Sequence, residues 1–220
     1  MPSYSGIWPI TAALQAVAAT TWPMQPALSA GASATFRSSA QLVRTNVSAL
    51  TTTKAIISFH DYTNDGLYAV VATLSGTTLS YGTPFLVKTT FNPYGSQIVA
   101  LDATTALIVY ETSDDNNLAA KVLTISGTTI TAGSQVKNGV VTTVPTLAAL
   151  TSTTAICVTN GAKAFVISVS GTTPSFGSVV QATGGVNATA SVAALSSTSA
   201  IMIRDNSASS NNPTVNVMTI

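Results

Sequence analysis

Apolar residues along this chain come in short runs of four to eight, rich in Val, Ile, Leu and Ala, and each run is broken by Thr, Ser, Gly or Asn. Runs of that length between turn-forming residues predict β-strands, because β-branched side chains suit a pleated surface and Gly, Asn and Ser suit the bends. Two phrases recur. The first is "VSALTTTKAIISF" at 47–59, which returns as "IVALDATTALIVY" at 98–110, "LAALTSTTAICVT" at 147–159 and "VAALSSTSAIMIR" at 192–204. Its leucines, Leu50, Leu101, Leu150 and Leu195, are 51, 49 and 45 residues apart, and an alanine follows each by five positions: Ala55, Ala106, Ala155 and Ala200. The second phrase is "LSGTTLSYG" at 74–82, repeated as "ISGTTITAG" at 125–133 and "VSGTTPSFG" at 169–177.

Each repeat therefore predicts a strand A before "AL", a strand B from "AIISF", a strand C from "LYAVVATL", a tight "SGTT" turn and a short strand D ending at "YG". The glycine of "SGTT" supplies the positive φ that a two-residue hairpin needs. Four antiparallel strands per repeat of ~40 to 50 residues is the pattern of a propeller blade. In the fourth repeat strand C, "TVNVMTI", reaches Ile220 without an "SGTT", while "ALSAG" at 27–31 aligns with the D strands of the others. From Gly31, Gly82, Gly133 and Gly177 to the alanine of the next "AL" the distances are 18, 18, 16 and 17 residues. Residues 27–31 are thus expected beside 214–220, completing an all-β, four-bladed β-propeller over 27–220.

Charge narrows the function. Only 7% of residues are charged and the formal net charge is +1, against roughly 25% charged in an average domain. Five Lys and three Arg, scattered, make no basic stripe for phosphates, so nucleic-acid binding is not expected. Mean hydropathy is +0.42, yet no apolar run approaches the ~20 residues of a spanning helix, so no membrane insertion is expected. The N-terminus lacks a basic n-region and carries Thr11 and Gln15 in its apolar stretch, which argues against a secretory signal. The single cysteine, Cys157 in "AICV", excludes an intramolecular disulfide or a cysteine zinc cluster and is expected to be a core thiol. No cofactor is expected.

Residues 1–26 differ in character from the repeats. Pro9 suits a first helical turn, "ITAALQAVAA" is rich in helix formers, Ile10, Leu14 and Val17 fall at helical spacing, and Pro23 and Pro26 stop the helix. The succession Gly6, Ile7, Trp8, then Leu14, Gln15, Ala16, then Trp22 and Pro23 resembles the N-terminal segment of tailed-bacteriophage virion proteins of the tail and fibre type. It departs from that pattern at Thr21, where Gly and a short spacer would precede the second tryptophan. The resemblance implies attachment to the particle through Ile7, Trp8, Leu14, Val17 and Trp22, with other virion proteins as partners, a virion location and multiple copies.

Seven carboxylates and one histidine leave little for catalysis. In "FHDYTNDGLY" the neighbours His60 and Asp61 point to opposite faces of a strand, so they make no half-triad. Asp61, Thr63, Asp65 and Gly66 match the opening of an EF-hand loop, but its twelfth position is Ala72 rather than Glu, and no metal is expected. Five residues after each repeat alanine stand His60, Glu111, Asn160 and Asp205, and the B-to-C loops beyond them diverge: "DYTNDG", "TSDDNN", "GAK", "NSASSNNP". The D-to-A connections, from "FNPYGS" to "KNGVVTT", are expected to diverge on the same face, whereas the other turns are nearly uniform. Repeat folds place binding sites where repeats differ. The candidate ligand-binding residues are His60, Asp61, Tyr62, Asn64, Asp65, Tyr94, Glu111, Asp114, Asp115, Asn160 and Asp205. Tyr62, Tyr68 and Tyr94 near that face suit sugars.

The expected function is a non-enzymatic virion module whose variable face binds a host-surface glycan or another virion protein. Two alternatives stand beside it. A polysaccharide-degrading hydrolase or lyase would need two carboxyls ~5 to 9 Å apart, drawn from Asp61, Asp65, Glu111, Asp114, Asp115 and Asp205. A capsid decoration protein would need no ligand.

Overall fold

The computed structural model describes residues 31–38, 41–89, 91–112, 114–141, 144–181, 190–206 and 212–220. The chain separates into two compact units, Met1–Ala32 and Ser33–Ile220. The helix expected over 10–19 and residues 27–30 of the expected closing strand lie outside the described residues, and Gly31 is in no strand.

The second unit is all-β, and its described residues form four antiparallel sheets that follow one another along the chain. The first contains β1 (Leu42–Ala49), β2 (Lys54–Asp61), β3 (Gly66–Ser75), β4 (Thr78–Tyr81) and β5 (Phe85–Thr89); the second contains β6 (Phe91–Ala100), β7 (Thr105–Thr112), β8 (Asn117–Ser126), β9 (Thr129–Ala132) and β10 (Val136–Val141). The third contains β11 (Thr146–Thr151), β12 (Thr154–Thr159), β13 (Lys163–Ser170), β14 (Thr173–Phe176) and β15 (Val180–Gln181), and the fourth β16 (Ala190–Ser196), β17 (Ser199–Asn206) and β18 (Asn212–Thr219). Strands A, B, C and D occur in the expected order, β1-β2-β3-β4 in the first sheet.

Strand D does not end at the glycine. It breaks there and resumes, with β4 beside the second half of β3 (Ala72 opposite Tyr81) and β5 beside the first half (Ala69 opposite Phe85). The same register recurs: Val136 lies opposite Ala120 in the second sheet and Val180 opposite Ala164 in the third. "FNPYGS" therefore lies within β6 and most of "KNGVVTT" within β10, not in connecting loops, and Tyr94 is a strand residue. Gly, Pro and Asn disguised these strands, because a strand at a sheet edge pairs on one side only and tolerates residues that a central strand excludes.

The two recurring phrases are two hydrogen-bonded turns. In the A-to-B turns Thr51 Oγ1, Asp102 Oδ1, Thr151 Oγ1 and Ser196 Oγ each accept from the amide two residues on, at 3.2, 2.7, 3.1 and 3.2 Å. That amide's own residue, Thr53, Thr104, Thr153 or Thr198, then accepts at its carbonyl from strand C or the residue just after it, through the N–H of Leu74, Ile125, Val169 or Ile220. Thr, Asp and Ser interchange because each offers an acceptor at the right reach. In "SGTT", Gly76, Gly127 and Gly171 have φ of 59°, 63° and 58°. Ser75 pairs with Thr78 across two turn residues, and a glycine with positive φ at the first of them is a type II′ hairpin.

Three apolar seams join the sheets. Ile56, Ala69 and Val71 of the first sheet pack with Ala106, Ile108 and Tyr110 of the second. Leu107, Val109 and Val122 of the second pack with Ala155 and Cys157 of the third, and Ile156 and Val158 of the third with Ala200 and Met202 of the fourth. Each seam presses the same side of one sheet against the opposite side of the next. The "SGTT" turn reinforces it: a Cβ on Gly82 would collide with the carbonyl oxygen of Thr128 in the next sheet, and one on Gly133 with that of Thr172.

The fourth sheet departs from the rule. Among the described residues no strand pairs with the outer edge of β18. On the side that is buried in the other three sheets it exposes Ile203 at 46% and Val217 at 70%, where the equivalent Val109 and Val122 are fully buried.

Candidate functional site

The B-to-C loops lie at the end of each sheet opposite the uniform turns. In the first sheet β2 delivers Asp61 fully buried. Its carboxylate accepts from the amides of Thr63 at 3.0 Å and Asn64 at 3.2 Å, and from Asn64 Nδ2 at 2.7 Å. It also pairs with Arg37. Burial alone would raise its pKa, but the Asn64 hydrogen bonds and the Arg37 charge hold it below the usual carboxylate range. Arg37 lies 4.7 Å over the Tyr68 ring. The loop is thus closed by an Asx turn and braced by a charge from outside it.

This bracing fixes what the loop presents. Tyr62 is 51% exposed, with its ring 4.8 Å from that of His60. Asn64 is exposed. Asp65 has φ of 44° and a side chain 63% exposed. His60 itself is buried, with Nε2 3.7 Å from Asp65 Oδ1. Burial lowers its pKa against the opposing pull of Asp65, so the imidazole is neutral at neutral pH. His60 faces Asp65, whereas the Asp61 carboxylate is held by Arg37, Thr63 and Asn64.

In the second sheet Glu111 is 1% exposed, and among the described residues its Oε2 has no hydrogen-bond partner. Burial pushes its pKa up to about 7. Asp114 and Asp115 are exposed and share Lys137 of β10, at 2.8 and 2.9 Å. The Thr112 hydroxyl and the Asn117 amide donate to Asp115 as well. These hydrogen bonds hold both aspartates below the usual range.

The third sheet turns through a single 3-10 turn, Asn160–Ala162, with Gly161 at φ 73°, and the Gln181 side chain donates to the Gly161 carbonyl. In the fourth, Asp205 lies in β17 opposite Pro213, while the loop at 207–211 lies outside the described residues, as do the anchors Ile7, Trp8, Leu14, Val17 and Trp22. Only the backbone is described at Asp205 and Tyr94.

The structure places the loop-proximal residues at different depths. His60, Asp61 and Glu111, each within the last two residues of its strand B, are buried. Tyr62, Asn64, Asp65, Asp114 and Asp115 are on the surface, and Asn160 is half-buried. Arg37 and Lys137, which set the geometry, were missed. Neither has a periodic relation to its carboxylate, and the one available signal was that cations are scarce in this chain.

Among the described residues no group of three or more His, Cys, Asp or Glu side chains is placed to hold a metal ion. Cys157 is buried, which pushes its thiol pKa up and makes it a core residue. No protein-family model matches the chain, and no curated protein matches it.

Proposed function

We propose that this chain is a non-enzymatic binding module of a bacteriophage virion, held to the particle by residues 1–26 and presenting its B-to-C loops to a host-surface glycan. Its four sheets act as the blades of a four-bladed propeller, completed by residues 27–31 as the outer strand of the fourth. The virion part rests on the resemblance of residues 6–23 to tail and fibre proteins. Support for the ring comes from the spacing of the four glycines and from three successive seams that obey one packing rule.

The observation that carries the binding part is the contrast within one loop: Asp61 holds the backbone of residues 63–64 rigid while Tyr62 and Asp65 project from it. A fixed aromatic ring flanked by Asn64 and Asp65 suits a sugar, which stacks its apolar face on the ring and hydrogen-bonds to the polar neighbours. Hydrolysis is less well served. Asp114 and Asp115 are both stabilised as anions by Lys137, and Glu111, the carboxyl most ready to hold a proton, has almost no exposed surface for a substrate.

A glycan array probed with the full chain and with a Tyr62→Ala, Asp65→Ala variant tests this reading, with Thr77→Ala in the opposite turn as control. Binding should vanish in the loop variant and persist in the control. A chain that binds no glycan, or a loop variant that binds as the parent does, would defeat it.

A further inference from the structure

We infer that the unpaired outer edge of β18 is the docking surface for residues 34–38 of the same chain, in the register that sets Ala34 opposite Val215. The inference extends the ring reading above and is independent of the glycan.

The first observation is positional. Residues 34–38 stand three to seven places after Gly31, as β5 stands after Gly82. In the first three sheets the residue three places after the glycine, Phe85, Val136 or Val180, always lies opposite the same site on strand C: Ala69, Ala120 or Ala164. The equivalent site in the fourth sheet follows from the pairings of the repeat alanines. Ala55 pairs with Ala72 and Ala200 with Met218, so Ala69 corresponds to Val215.

The second observation is that residues 34–38 already touch what such a strand should touch. Val87, five places after Gly82, belongs to the seam cluster containing Tyr110 of the next sheet. Phe36, five places after Gly31, packs against Phe59, the first-sheet counterpart of Tyr110, with ring centroids 5.1 Å apart, and against Tyr81 at 5.2 Å. The Tyr81 hydroxyl donates to the Ala34 carbonyl at 3.1 Å, and Arg37 pairs with Asp61. The segment therefore occupies, on the first sheet, the place that β5 occupies on the second.

The third observation is the vacancy on the other side. The edge of β18 has no strand beside it among the described residues, and Val215 and Val217 are exposed although their counterparts Ala69 and Val71 are fully buried. Seating residues 34–38 along 212–215 brings the fourth sheet up to the first, with the segment as the element common to both.

The test is an Ala34→Cys, Val215→Cys double variant of the full chain, oxidised and resolved without reductant. Directly opposed residues in an antiparallel pair have Cα atoms about 4.5 to 5.5 Å apart, within reach of a disulfide. Cys157 is buried and does not compete. The expected result is near-complete cross-linking within one chain, a raised melting temperature, and at least tenfold slower cross-linking for a Phe36→Cys, Val215→Cys pair placed out of register. In the unsubstituted chain, hydrogen exchange should show the outward amides of β18 protected as strongly as those of β17. Cross-linked dimers would overturn the inference in favour of a second copy's segment, and fast exchange along β18 with no cross-link would overturn it outright. Neither result bears on glycan binding, and loss of glycan binding leaves the cross-link unchanged.

Discussion

The carbonyl oxygen of Thr172 rests directly on the α-carbon of Gly133, across the boundary between two sheets, with no space between them for a Cβ. A hairpin of one repeat is seated in the outer strand of the repeat before it, and the glycine is the seat.

Gly133→Ala should therefore destabilise the protein by about 1 to 3 kcal/mol, the usual cost of overpacking against a neighbour that cannot move aside. Gly127→Ala is the informative comparison. Among the described residues no atom lies within 4 Å of its added Cβ, and its cost should be only the ~1 to 2 kcal/mol of a left-handed conformation. Urea unfolding midpoints measure both. A negligible effect of Gly133→Ala would mean that the hairpin is not seated.

Glu111→Gln should stabilise the protein at neutral and alkaline pH and flatten its stability profile. Burial pushes the folded pKa of the carboxyl up to about 7 from an ordinary 4.5, so the folded state holds the proton more tightly. Stability is then highest below the unfolded pKa and declines as pH rises towards 7, by at most about 3 kcal/mol at 1.36 kcal/mol per unit. Melting temperatures from pH 4 to 8 should fall for the parent and stay level for the variant. A parent profile with no decline would remove the effect.

Asp61→Ala should cost about 3 kcal/mol, because it strands the Arg37 guanidinium and releases the loop amides. The sign with pH is opposite to that of Glu111. The pKa of Asp61 is depressed, so its contribution is present above the ordinary Asp range and is lost only as pH falls through the lower folded value. Acid unfolding should begin at higher pH in the variant than in the parent.

Asp102→Thr should be neutral to within about 0.5 kcal/mol, since Thr51 and Thr151 perform the same capping in their own turns. Asp102→Val removes the acceptor while keeping the volume, and should cost about 1 kcal/mol. Denaturant midpoints separate the two. A Thr variant as damaged as the Val variant would show that the charge, not the hydrogen bond, matters there.

The repeats were legible because their turns are chemically demanding. "SGTT" needs a glycine at one position, and the residue after "AL" needs an acceptor, so both survive divergence of everything between them. The second halves of the outer strands were not legible. Residues 137–141, "KNGVV", carry a glycine and an asparagine in a strand that pairs on one side, where alternation is not enforced. Burial was not legible where strand position outweighs residue type. His60 and Glu111 are polar and next to loops, yet each is the next-to-last residue of strand B and is buried. Arg37 was invisible because its use depends on a fold contact with a residue 24 positions away.

Each seam joins unlike sides of two sheets, so stacking has a polarity, like bricks with studs on one face and sockets on the other. A two-fold dimer through the fourth sheets would set studs against studs. Head-to-tail growth, fourth sheet onto the first sheet of another copy, would match instead, and nothing in the geometry of such contacts would stop it at two. Phe36 and Arg37 lie across the aromatic part of that first-sheet socket, over Phe59 and Tyr68. A chain lacking residues 33–38 would leave that part uncovered and should be more prone than the full chain to assemble head to tail into open filaments.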